Sequence, residues 1–153
     1  DGGVIMRLLL MGVPDGDIEL NVNSVSAFCE KNGITEVMYS SIGPVQITAR
    51  MDTIGMAVAD KNGAKTISTQ TQSMGIMNWV GRSNNDTTIP LWPLRADYVI
   101  VMTNPQYRRQ IRNNPKKLAW ADWYREQDIP IYIYDPDYGA DGGGVLVPVD
   151  EFK

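Results

Sequence analysis

The chain has 153 residues, 43% of them hydrophobic and 21% charged, with a formal net charge of −4. Such a chain fits a single domain, 1–153, that can bury a core without staples, and its charge gives no basic field to draw it to nucleic acid or an anionic membrane. The absence of histidine excludes Ser-His and Cys-His catalysis and histidine-ligated zinc, and the lone Cys29 excludes an internal disulfide and fits a reducing, cytoplasmic setting.

Val4–Met11 is an apolar run broken only by Arg7, too short to span a bilayer and without a signal peptide's cleavage pattern. It reads as a buried central strand, and Met6 is a candidate native start. Gly12–Asp17 is turn chemistry. Asn21 or Asn23 caps a helix to about Asn32, with Val22, Val25, Ala27 and Phe28 spaced for its inner face, and Gly33 ends it. Ile34–Tyr39 is the second strand. Val45–Ala49 and Thr53–Ala59 alternate weakly, Asp60–Gly63 is a hairpin turn signal, and Ala64–Thr69 is the return strand. Gln72–Val80 carries Met74, Met77 and Val80 at helical spacing, and Gly81–Thr88 is a polar loop. Tyr98–Met102 is a strand, and Gln106–Gln127 is helical in pattern with a break near Asn113-Asn114-Pro115. Ile129–Tyr134 is another strand, followed by a glycine-rich loop and a short β-like Val145–Pro148. The expected fold is α/β: a three-layer Rossmann-like or flavodoxin-like sandwich with a mainly parallel five-stranded sheet and a β-hairpin insertion at Thr53–Thr69.

Open α/β sheets bind ligands at the carboxyl ends of their strands. Three places there carry chemistry. In the first loop, Gly12 and Gly16 allow close backbone approach, Pro14 shapes the turn, and Asp15 and Asp17 can accept hydrogen bonds from ribose hydroxyls. With Glu19 they also make an acidic spacing able to hold Mg²⁺ or Ca²⁺, although an exposed turn explains it as well and no metal is expected. Asn104-Pro105 follows a strand, and Arg95, Arg108, Arg109, Arg112, Lys116 and Lys117 form a basic cluster beside Tyr107 and Trp120. Arginines pair with phosphate and aromatic rings stack on bases. A solvated helix face is the preferred explanation of that cluster, because half of it must point away from any one site. Asp122 and Glu126 share a helix face, and either is a nucleophile or acid if a pocket raises its pKa; surface charge is the commoner use of such a pair. Thr103–Tyr107 has a faint likeness to the Asn-Pro-Pro-Tyr motif of amino-directed DNA methyltransferases, with Gln106 in place of the second proline and no glycine-rich donor motif before it.

Across most of its length the chain resembles the nucleoside 2-deoxyribosyltransferase-like superfamily, including its small phage and bacterial members. Leu10-Met-Gly12-Val-Pro14 is similar to that family's Ala-Gly-Pro turn with one extra residue, a helix ending in Gly33 leads to strand two, Asp86 precedes Ala96-Asp97-Tyr-Val-Ile-Val, and Ala119–Ile131 ends in Ile129-Pro130-Ile131 as the catalytic helix does. Trp120 stands at the position of the nucleophilic Glu, Asp122 lies two residues later, and the Asp-Ser-Gly-Thr turn is missing. The resemblance implies a homo-oligomer acting on the N-glycosidic bond of a nucleoside or nucleotide, with no cofactor. Asp122 would be catalytic, and Gly12, Pro14, Asp15, Asp17, Asp86, Asn104, Arg108 and Trp120 would bind the small-molecule substrate. If Trp120 stacks on a base instead, a noncatalytic nucleotide-binding or interaction protein results. Ala96–Tyr107 also looks like a segment of flavodoxin-like FMN reductases, but the acidic first loop lacks the Ser, Thr, Arg and Asn of a flavin phosphate site.

Overall fold

The computed structural model describes residues 5–13, 17–41, 45–68, 79–80, 89–90, 96–113, 121–136 and 145–151. In chain order the elements are β1 (Arg7–Gly12), α1 (Val22–Asn32), β2 (Glu36–Ser41), α2 (Val45–Asn62), β3 (Lys65–Ser68), β4 (Trp79–Val80), β5 (Ile89–Pro90), β6 (Tyr98–Met102), α3 (Pro105–Asn113), α4 (Asp122–Glu126), β7 (Ile131–Asp135) and β8 (Val145–Pro148), with a 3₁₀ turn at Val149–Glu151. Six strands form one sheet in the order β3-β2-β1-β6-β7-β8. The first five of these run parallel, and β8 pairs antiparallel with β7. The chain steps outward from β1 to β3, then returns to the other side of β1 as β6, so the strand order reverses between β1 and β6. This α/β architecture is compatible with a Rossmann-like sandwich.

β1 needs no polar alternation because it is buried on both faces. Leu8 and Leu10 join one apolar cluster with Val25 and Cys29 of α1 and Met51, Val58 and Ala59 of α2. Leu9 and Met11 join another with Tyr107 and Ile111 of α3, Ala121 and Tyr124. β6 repeats the pattern: Ile100 and Met102 face the first cluster, Val99 and Val101 the second. Burial alone pushes the Cys29 thiol from 9.0 to about 11, so it remains protonated. At the amino ends of the strands, Arg7 pairs with Glu36 at 2.6 Å, and the Arg7 amide donates to Asp97 Oδ2 at 2.8 Å.

Three helices end by the same device. Gly33 takes φ 67°, and the Ile34 amide reaches back to the Cys29 carbonyl at 3.0 Å. Gly63 takes φ 71°, and the Ala64 amide reaches Ala59 at 2.9 Å. Asp128 takes φ 60°, and the Ile129 amide reaches Tyr124 at 3.0 Å. A left-handed residue followed by this backward bond satisfies the last helical carbonyls and turns the chain sharply. In each case a strand starts two or three residues on. Asn21 is the N-cap of α1, its side chain accepting from the Ser24 amide at 3.0 Å.

The expected hairpin insertion at Thr53–Thr69 is corrected. Residues 53–62 complete α2, and β3 pairs parallel with β2 rather than antiparallel with its predecessor. Weak alternation and the Asp60–Gly63 turn signal point to strands, yet Met51, Gly55, Val58 and Ala59 recur at helical spacing and are buried. Asn-Gly at 62–63 served a helix terminus instead of a hairpin, since both require positive φ. The sheet also has six strands where five were expected: β3, expected as the return strand of the hairpin, is an edge strand of the main sheet. Val80, expected to end a helix, pairs as β4 with β5; residues 72–78 lie outside the described set, as does the loop 81–88. Within Gln106–Gln127, α3 ends at Asn113, where the break is expected, and α4 follows at Asp122–Glu126.

Candidate functional site

β1 and β6 run in parallel with Gly12 opposite Met102, so Gly12 and Asn104 leave the sheet on the same side. Val101 pairs with Ile133, which brings Asp135 alongside Thr103. The carboxyl ends of β1, β6 and β7 therefore meet at one edge, where the strand order reverses. The loop from β1 does not stand clear of this edge. Its second half folds across β6: the Glu19 amide donates to the Thr103 carbonyl at 2.7 Å, and Ile18 is buried. Arg50 of α2 donates to the Ile18 carbonyl at 3.4 Å from the other side.

α3 starts at this edge for a local reason. The Asn104 carboxamide accepts from the Tyr107 amide at 2.7 Å, and Pro105 occupies the first helical position, where a missing N–H costs nothing. That start fixes the helical phase, so Tyr107, Arg108 and Ile111 face inward. Arg108 is only 2% exposed. Its Nη1 donates to Glu19 Oε1 at 2.8 Å and to Thr103 Oγ1 at 2.9 Å, and its Nε lies 3.6 Å from Asp135 Oδ1. Arg112 reaches Asp135 Oδ2 at 3.2 Å, and the Thr103 hydroxyl donates to the Tyr134 carbonyl at 2.6 Å. Two guanidiniums and two carboxylates thus neutralise one another, and for the buried pair Arg108 and Asp135 an unpaired charge would cost several kcal/mol, at least ~3. Burial, reinforced by Glu19 and Asp135 and opposed by Arg108, raises the Tyr134 pKa, so its hydroxyl stays a donor.

Of the residues picked out from sequence, Gly12, Asn104 and Arg108 come together at this edge, and Asp17 is exposed in the adjoining loop. Pro14, Asp15, Asp86 and Trp120 lie outside the described residues. Asp122 is the first residue of α4, the helix that closes through Asp128 onto the start of β7; its side chain is also outside the described set. The basic cluster is corrected in part. Arg109 and Arg112 do lie on the exposed face of α3, but Arg108 is a buried tie between four segments. The acidic spacing that could hold a cation also changes meaning, because Glu19 turns to a guanidinium. Among the described residues no group of three or more acidic or cysteine side chains is placed to hold a metal. Thr103 and Asp135 were visible only as strand ends, and their joint contact with Arg108 has no signal in the sequence.

A surface hollow of about 300 Å³ lies at the amino end of β7, lined by Asp128–Tyr132 and Pro148–Asp150, with Arg125 and Asp150 paired across it at 2.8 Å. It is at the end of the sheet opposite Thr103 and Asp135. No helix among the described residues is long and apolar enough to cross a membrane. No family model, curated protein or solved structure matches the chain.

Proposed function

We propose that this chain is a nucleoside- or nucleotide-directed enzyme, built as a three-layer sandwich, whose site lies over the carboxyl ends of β1, β6 and β7 and which acts on an N-glycosidic bond. The reversal of strand order between β1 and β6, with a fixed polar cluster at that point, is the observation that carries the reading. Asp122 is the proposed nucleophile. Its carboxylate attacks the anomeric carbon as the C–N bond breaks, the base leaves with the electron pair and takes a proton, and water or a second base then displaces the carboxylate from the glycosyl ester. This chemistry requires neither histidine nor metal. Substrate binders are Gly12, Pro14, Asp15, Asp17, Asp86, Asn104 and Trp120, with Arg108 holding the strand ends beneath them, in a homo-oligomer.

A noncatalytic nucleotide binder is the second reading, favoured by Trp120 standing where the resembled family has its nucleophile. Incubation with a panel of deoxynucleosides and their 5′-monophosphates, followed by chromatography for free base, decides between them. Base release that disappears in Asp122→Asn supports the enzyme. A rise in Tm with these ligands and no base release supports the binder, and neither response to any ligand removes both. A yellow, flavin-containing preparation would favour an FMN reductase.

A further inference from the structure

Glu19 ends the acidic spacing of the first loop, and among the described residues it is the carboxylate beside the strand ends that is both held by a buried cation and still open to solvent. Its backbone is fixed by the 2.7 Å bond to Thr103. Its Oε1 is fixed by Arg108, whose side chain is 3% exposed while that of Glu19 is 38% exposed. Arg108 is itself immobilised by Thr103 Oγ1 and Asp135. The second oxygen, Oε2, has no partner among the described residues. A carboxylate held through one oxygen and open at the other is an oriented acceptor. It takes O–H or N–H donors with little loss of side-chain freedom, because that freedom is already gone.

The same arrangement discriminates by charge. Arg108 is neutralised by Glu19 and Asp135, and Arg112 is engaged by Asp135, so the guanidiniums present no uncompensated charge to a phosphate. Of the charges along this segment, exposed Asp17 is negative, and the positive Arg50 is held against the Ile18 carbonyl. A phosphate brought to Glu19 meets like charge, whereas a neutral hydroxyl or amino group meets an acceptor.

We infer that Glu19 is a specificity-determining residue that selects an unphosphorylated, hydroxyl-bearing ligand, a nucleoside rather than its 5′-phosphate. The inference rests on the reading that a nucleoside or nucleotide occupies this edge. Affinities of the four deoxynucleosides and their 5′-monophosphates are measured by calorimetry for the wild type, Glu19→Gln, and Asp60→Asn. The last removes the same charge from the exposed end of α2. The wild type is expected to prefer the nucleoside. Glu19→Gln should lose about tenfold in nucleoside affinity and narrow the preference by a similar factor, with Asp60→Asn unchanged. Should Glu19→Gln fail to fold, Glu19→Asp makes the same decision: it keeps the charge but withdraws the acceptor, so nucleoside binding weakens while phosphate stays excluded. A wild type that prefers the monophosphate overturns the inference alone. So does a folded Glu19→Gln with unchanged preference, or one that weakens both ligand types equally. A wild type that binds neither ligand removes the functional reading and the inference with it.

Discussion

Gly55 lies where α2 passes over β2, and the side chain it meets there is Tyr39. A Cβ at Gly55 would stand 2.8 Å from Cδ1 of the Tyr39 ring. That ring cannot swing away freely, because its hydroxyl donates to Asp52 Oδ1 at 2.6 Å and the residue is buried. Alanine would gain about 0.5–1 kcal/mol of helix propensity at this position. The overpacking works against it by about 1–3 kcal/mol, so the steric term wins. Gly55→Ala is therefore expected to destabilise the fold by roughly 1–2 kcal/mol in urea unfolding, and an increase in stability would show that α2 sits less tightly on β2. Glu19 teaches a related lesson at this scale: an acidic residue in an acidic stretch reads as surface charge until its partner is known.

At the scale of elements, the three left-handed helix closures explain much of the fold. Lys31-Asn32-Gly33 and Lys61-Asn62-Gly63 are the same tripeptide, and both deliver the chain from a helix to a parallel strand. The first was legible as a helix end. The second was mistaken for a hairpin turn because glycine answers the same need for positive φ in both settings, and local sequence does not say which applies. The third closure uses Asp128, an L-residue in a region that costs such residues ~1–2 kcal/mol, somewhat less for Asp. Asp128→Gly removes that strain and adds chain entropy to the unfolded state, so a net gain of about 0.5–1 kcal/mol is expected in thermal or urea unfolding. A loss would mean that the aspartate side chain contributes more than its backbone costs.

For the molecule as a whole, Arg108 joins the loop after β1, the end of β6, α3 and the end of β7. These segments are far apart in sequence, and the apolar clusters below do not specify how their polar ends meet. Arg108→Met should leave Glu19 and Asp135 without their shared cation and lower stability by about 3–5 kcal/mol. Arg108→Lys should not restore it, since an ammonium cannot serve Glu19, Thr103 and Asp135 at once. A loss below ~1 kcal/mol in Arg108→Met would show the cluster to be solvated and its charges independent. Because the same residues frame the candidate site, such a variant tests the scaffold and not the chemistry.

The residue pattern alone determined the parallel α/β class, the buried central strand, a cap at Asn21 or Asn23 and the strand ends at Gly12, Asn104 and Asp135. Each of these depends on short-range periodicity or on turn chemistry, which neighbouring residues encode. Only the tertiary structure decided that α2 is a helix, that β3 joins the main sheet as its sixth strand, and that Arg108, read as part of a solvated face, is buried between Glu19 and Asp135. Those outcomes depend on which side of the sheet a segment meets and on pairing across 89 and 27 residues of chain, and no local propensity carries that information.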